Sequence, residues 1–134
     1  MVESGFEITD IIIDCSDPDR LAMFWAAVLG RPVEGRKGPY VWLKRQPGAP
    51  SVGFQKVAEP KAGKNRLHLD LAVPDLVIAK TAVEALGGRR IEGYEAGGFL
   101  VMTDPEGNEF CLVPVAPFSF DESGHADYLD DLKI

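Results

Sequence analysis

The sequence predicts an α+β domain made of two similar halves, each running strand, helix and then three strands. Three observations carry that prediction. The aspartates that open the two helices, Asp17 and Asp75, stand 58 residues apart, and the same offset takes Gly30 to Gly88, Arg31 to Arg89 and Asp10 to His68. The apolar residues change from the two-residue period of a strand to helical spacing and back, once in each half. A chain of 134 residues, 46% apolar and 26% charged, can fill one ordinary core but not two conventional ones, so residues 1–134 are expected to form a single domain.

The elements follow in order. Ile8 to Cys15 is β-branched and apolar with acids interleaved, which reads as a strand. Ser16-Asp17-Pro18 then supplies a helix cap and a proline at the first helical position. Leu21, Phe24, Trp25, Val28 and Leu29 recur at helical spacing, and Gly30 stands where a left-handed cap ends a helix of about 18–29. Three strands are expected at about 31–36, 39–44 and 51–57, separated by Gly35, Gly38-Pro39 and the turn-forming run Pro47 to Pro50.

The polar stretch 58–65 reads as a linker between a first module of about 6–57 and a second of 66–115. In the second, Leu67 to Val73 is a strand and Pro74-Asp75 a cap. Leu76, Ala79, Val83 and Leu86 mark the helix, which Gly87-Gly88 stops. Strands at about 89–93, 98–103 and 109–115 complete it, with Asp104-Pro105-Glu106-Gly107 as a turn. The tail 116–134 carries five acids and one base, and Tyr128, Leu129 and Leu132 suit either a short docking helix or a solvated end.

The formal charge is −7, of which the tail holds −4, leaving −3 for the body. A mildly acidic body has no long-range attraction for phosphate backbones or anionic membranes, so neither nucleic acid nor membrane is an expected partner. The first residues do not resemble a signal peptide and the apolar runs are only strand-length, so the expected location is cytoplasmic. Cys15 and Cys111 are accordingly read as reduced thiols in strands.

Ser16-Asp17-Pro18 through Phe24-Trp25 to Leu29-Gly30, then Asn65-Arg66-Leu67-His68-Leu69-Asp70-Leu71, then Asp104-Pro105-Glu106-Gly107-Asn108-Glu109-Phe110 together resemble the vicinal oxygen chelate superfamily. That superfamily includes glyoxalase I, bleomycin-resistance proteins and extradiol dioxygenases, and the Phe24-Trp25 helix and the Asn65-Arg66-Leu67-His68-Leu69-Asp70 strand resemble in particular a glyoxalase-like group common in actinobacteria. The resemblance implies two β-α-β-β-β modules forming a half-open eight-stranded barrel with a concave pocket, and a homodimer. It also implies a divalent metal in the metal-dependent members, held by residues of the first and last strands of each module. Carried over, the first-strand positions are Asp10 and His68, the candidate metal ligands. The last-strand positions fall on Gly53 or Gln55 and on Cys111, where the family's pattern has a glutamate.

Strand periodicity puts Asp10, Ile12 and Asp14 on one face, and His68, Asp70 and Ala72 on the corresponding face of the second half. The candidate ligand-binding residues are therefore Asp10, Trp42, Gln55, His68, Asp70 and Cys111. His68 is the candidate catalytic residue, with metal binding, proton transfer and a structural hydrogen bond to Asp10 or Asp70 as its open roles. Trp42, Tyr40 and Phe99 are suited to stacking on a planar ligand, Lys64 and Arg66 to an anionic one, whereas Cys111 reads first as buried filler. The expected function is binding or sequestering a small aromatic or cationic compound. The alternative is a metal-dependent lyase, isomerase or dioxygenase using His68.

Overall fold

A computed structural model describes residues 4–91, 98–114 and 122–123. The chain divides into two compact units, Met1–Lys61 and Ala62–Ile134, the division falling in the polar linker. The first holds β1 (Asp10–Cys15), α1 (Pro18–Leu29), β2 (Val33–Lys37), β3 (Tyr40–Leu43) and β4 (Ser51–Lys56). The second holds β5 (Asp70–Val73), α2 (Leu76–Ala85), β6 (Arg89–Arg90), β7 (Leu100–Thr103) and β8 (Glu109–Pro114). The expected α+β class with paired β-α-β-β-β modules is thus the observed one.

The sheet order is β1-β4-β3-β2 in the first module and β5-β8-β7-β6 in the second, so the two repeat one topology. In each, the first strand pairs in parallel with the last, and the remaining neighbours are antiparallel. A parallel pair cannot be joined by a tight turn, and the helix with the following hairpin makes the crossover.

In the first module the Asp17 carboxylate accepts the Arg20 N–H at 3.1 Å and Pro18 occupies the first turn, where its missing donor costs nothing. Gly30 closes α1 at φ 66°, a left-handed conformation that costs glycine no steric penalty. Leu21, Ala22, Phe24 and Trp25 are buried where α1 packs on β3 and β4, against the face carrying Val41, Leu43, Val52 and Phe54. Trp25, 1% exposed, meets Phe24 edge to face with ring centroids 5.3 Å apart.

The second module packs more lightly. Asp75 caps α2 by accepting the Ile78 N–H at 2.9 Å, but only Val83 of this helix is buried, while Val77 is 73% exposed. Its core is carried by the sheet, through Met102, Phe110 and Leu112. The β7–β8 turn is built as the sequence suggests. The buried Asp104 carboxylate accepts the N–H groups of Glu106 and Asn108 at 2.9 and 3.0 Å and the Asn108 side-chain amide at 2.9 Å.

Some boundaries differ from expectation. The ladder of β5 starts at Asp70, not Leu67, whose side chain is 89% exposed and so gains nothing from burial there. β1 likewise starts two residues later than Ile8, itself exposed. The strand expected at 98–103 begins at Leu100, after Gly98 at φ 98°. Residues 92–93 of the preceding strand, Val115 at the end of the last, and the expected tail helix around Tyr128 fall outside the described residues.

Candidate functional site

In the first module the side chains opposite α1 form two rows across the sheet. Cross-strand partners project to the same side, so the pairings Asp14 with Gln55, Gln55 with Tyr40 and Tyr40 with Lys37 align these four residues. The adjacent row runs Ile12, Gly53, Trp42 and Gly35. Tyr40 and Trp42, two residues apart on β3, therefore stand side by side. Their rings stack at a centroid distance of 5.3 Å and an interplanar angle of 11°.

Glycine at position 53 is what lets the indole lie down. A Cβ there would meet Trp42 Cδ1 at 2.7 Å and Ile12 Cδ1 at 3.0 Å, below the separation real Cβ atoms keep. The result is a half-buried aromatic surface with charge at both edges. Asp10 and Asp14 are exposed on β1, and Lys37 is exposed on β2. The Asp10 carboxylate accepts the neighbouring Thr9 hydroxyl at 2.7 Å. With strands about 4.8 Å apart, the acids of β1 lie roughly 10 Å from the ring-bearing strand, within reach of a ligand of two or three fused rings.

The second module places different chemistry on the same row. The repeat takes Ile12 to Asp70 and Gly53 to Cys111 at the offset of 58, and Trp42 to Val101 at an offset one larger. Asp70, Cys111 and Val101 are indeed opposite one another in β5, β8 and β7. An aromatic row in one half is a carboxylate-thiol row in the other. His68, just ahead of β5, brings its imidazole to them, with Nε2 3.3 Å from Asp70 Oδ1. One donor atom from each of His68, Asp70 and Cys111 lies within 4.8 Å of the others, the one such cluster of three among the described residues.

The electrostatics of this cluster argue against a cysteine nucleophile. Burial, then the Asp70 charge and then a hydrogen bond to Asp70 raise the Cys111 thiol from 9.0 to about 11, and Lys64 only partly opposes them. A reactive thiolate needs a cation beside it; here a carboxylate occupies that place. Cys111 is 7% exposed, while the side chains of His68 and Asp70 are 47% and 48% exposed, so the cluster has a closed sulfur end and an open polar end. Cys15, in the first module, is buried against the Gln55 carbonyl at 3.6 Å, and both cysteines are thiols.

The sequence-derived candidates thus fall into two groups. Asp10, Trp42 and Gln55 lie on one face of the first module; His68, Asp70 and Cys111 converge in the second. The strand face expected for His68 is its position, although the residue precedes the hydrogen-bonded ladder. Phe99 is half-buried just before β7, and Lys64 and Arg66 are exposed. Two roles were not drawn from the sequence: Gly53 as the floor of the indole and Asp70 as the group joining His68 to Cys111. Their signal was present in the strand period, but needed the register of β4 and β8 to be read.

The glyoxalase-like domain family matches residues 10–113. No functionally curated protein matches the chain. Among solved structures, a glyoxalase/bleomycin resistance protein/dioxygenase family enzyme from Burkholderia phytofirmans PsJN is similar at 19% identity and a TM-score of 0.68, over 83% of this chain and 100% of that one. A glyoxalase/bleomycin resistance protein from Albidiferax ferrireducens T118 is similar at 21% identity and 0.61, over 84% and 100%. The trypanothione-dependent glyoxalase I of Leishmania major is similar at 18% identity and 0.63, over 81% and 86%. At these identities the likeness is one of fold. The chain belongs to the glyoxalase-like domain family of the vicinal oxygen chelate superfamily.

Proposed function

We propose that the chain binds a small planar aromatic cation on the open face of its first module, without making or breaking a bond. The observation that carries this reading is the stacked Tyr40–Trp42 pair lying across Gly53. Two nearly parallel, stacked rings offer an outer π-face to an aromatic ligand and an attractive quadrupole to a positive charge, worth roughly 0.5–2 kcal/mol for a cation–π contact. Asp10 and Asp14 at the β1 edge would face the cationic end, and the Gln55 amide between Asp14 and Tyr40 would supply a directional hydrogen bond. Lys37 at the opposite edge would turn the ligand's acceptor-bearing end towards β2.

The test is a titration of tryptophan fluorescence with an acridinium-type cation and its neutral isostere. The expected result is saturable quenching by the cation, at least tenfold weaker for the isostere and lost in Trp42→Ala with Trp25 intact. Quenching that persists in that variant would refute the reading.

Of the alternative, a metal-dependent lyase, isomerase or dioxygenase, the lyase or isomerase form draws support from the His68, Asp70 and Cys111 cluster. Nitrogen, oxygen and sulfur donors together fit zinc and depart from the two-histidine, one-carboxylate set of non-haem iron. A divalent ion held there would supply Lewis-acid polarisation of a substrate oxygen. The chain's own part would be to hold the ion through these three side chains and, through the exposed side of His68 and Asp70, to admit substrate.

A further inference from the structure

We propose that His68, Asp70 and Cys111 form a zinc-binding site contained within the second module, with Asp70 as a ligand in its own right. The inference deepens the alternative reading and is independent of the aromatic ligand proposed for the first module. The superfamily pattern draws ligands from first and last strands of both modules, and it reaches His68 and Cys111 but not Asp70, which stands two residues further along the chain. The geometry gives Asp70 the central position. It is the register partner of Cys111 and lies 3.3 Å from His68 Nε2, and all three donor atoms fall within 4.8 Å. Donors around a tetrahedral zinc stand about 3.3–3.8 Å apart, so a movement of about 1 Å in side chains that are half exposed at two of the three positions completes the set.

The donor types choose among metals. A thiolate, an imidazole and a carboxylate together suit zinc or cobalt(II), whereas magnesium and calcium require oxygen. Three protein ligands leave a fourth position, and the exposure of His68 and Asp70 puts that position towards solvent. Binding exchanges the Cys111 S–H bond for a sulfur–metal bond and releases one proton to solvent, with no change of oxidation state. The Asp70 carboxylate, which otherwise holds that thiol protonated, becomes a ligand in the same step.

The experiment uses the full chain, purified with chelator and titrated with cobalt(II), because a cobalt–thiolate bond gives a near-ultraviolet charge-transfer band and tetrahedral cobalt gives visible bands. The expected result is one equivalent of cobalt with both features, displaced by zinc and not by magnesium. Cys111→Ser should lose the near-ultraviolet band, and Asp70→Ala and His68→Ala should each weaken binding at least tenfold, while Cys15→Ser binds as the parent does. Far-ultraviolet circular dichroism identifies any variant that fails to fold, and Asp70→Asn then replaces Asp70→Ala. Absence of a saturable thiolate band, or cobalt binding by the Asp70 variants as tight as the parent's, would overturn the proposal. Neither outcome bears on aromatic binding by Trp42, so the two readings fail separately.

Discussion

Trp42 Cδ1 lies 2.7 Å from the point where a Cβ on Gly53 would stand. Gly53→Ala must therefore lift the indole from β4 or move the strand. The expected cost is about 1–3 kcal/mol, as for other insertions into a packed site, read as a lower midpoint in urea. The same variant should weaken ligand binding with Trp42 itself unchanged, and a wild-type affinity would show that the flat indole is not needed.

The first core rests on Trp25, essentially fully buried beneath α1. Trp25→Ala should cost about 3–5 kcal/mol, a large part of the stability of a small domain. Equilibrium unfolding followed by circular dichroism measures it. A loss below about 1 kcal/mol would contradict the packing of α1 on β3 and β4.

Asp75 caps a helix with one buried side chain, so α2 has little packing to fall back on. Asp75→Ala is expected to cost about 1 kcal/mol and to speed amide exchange through Val77–Thr81 more than through β8. Uniform acceleration across both elements would mean that α2 and the sheet open together.

The Cys111 thiol carries a pH dependence whose sign follows from its shift. Its folded-state value is raised from 9.0 to about 11, so the folded chain holds this proton more tightly than the unfolded one. The resulting stabilisation is complete below about pH 9 and is lost as pH rises towards 11. Alkylation of Cys111 by iodoacetamide should accordingly be slow at pH 8 and rise with a midpoint near 11. Asp70→Asn removes a charge that raises the thiol and should bring that midpoint down. An unchanged midpoint would place the whole shift in burial.

Much of the architecture was legible because its signals are local. Asp17-Pro18 and Gly30 bound α1, and Phe24 and Trp25 fall on its buried face. The alternation from Asp10 to Cys15 gave the exposed and buried faces of β1 directly. The β5 boundary differs from expectation because Leu67 looks like a strand residue in sequence, whereas its side chain is 89% exposed. The repeat paired Asp10 with His68, but could not give the cross-strand partners. Gly53 looked like a blank in the ligand pattern until register placed it beneath Trp42, and Asp70 looked like one acid among several until register set it opposite Cys111.

The chain has two tryptophans, one in the core under α1 and one on the open face of β3, so its two indole N–H resonances report on the two sides of the first sheet. Titrating isotope-labelled protein with the acridinium-type cation should move the Trp42 indole resonance saturably and leave that of Trp25 in place. A Trp42 resonance that stays fixed at saturating cation, or moves only in step with Trp25, would contradict the assignment of this face as the ligand-binding surface.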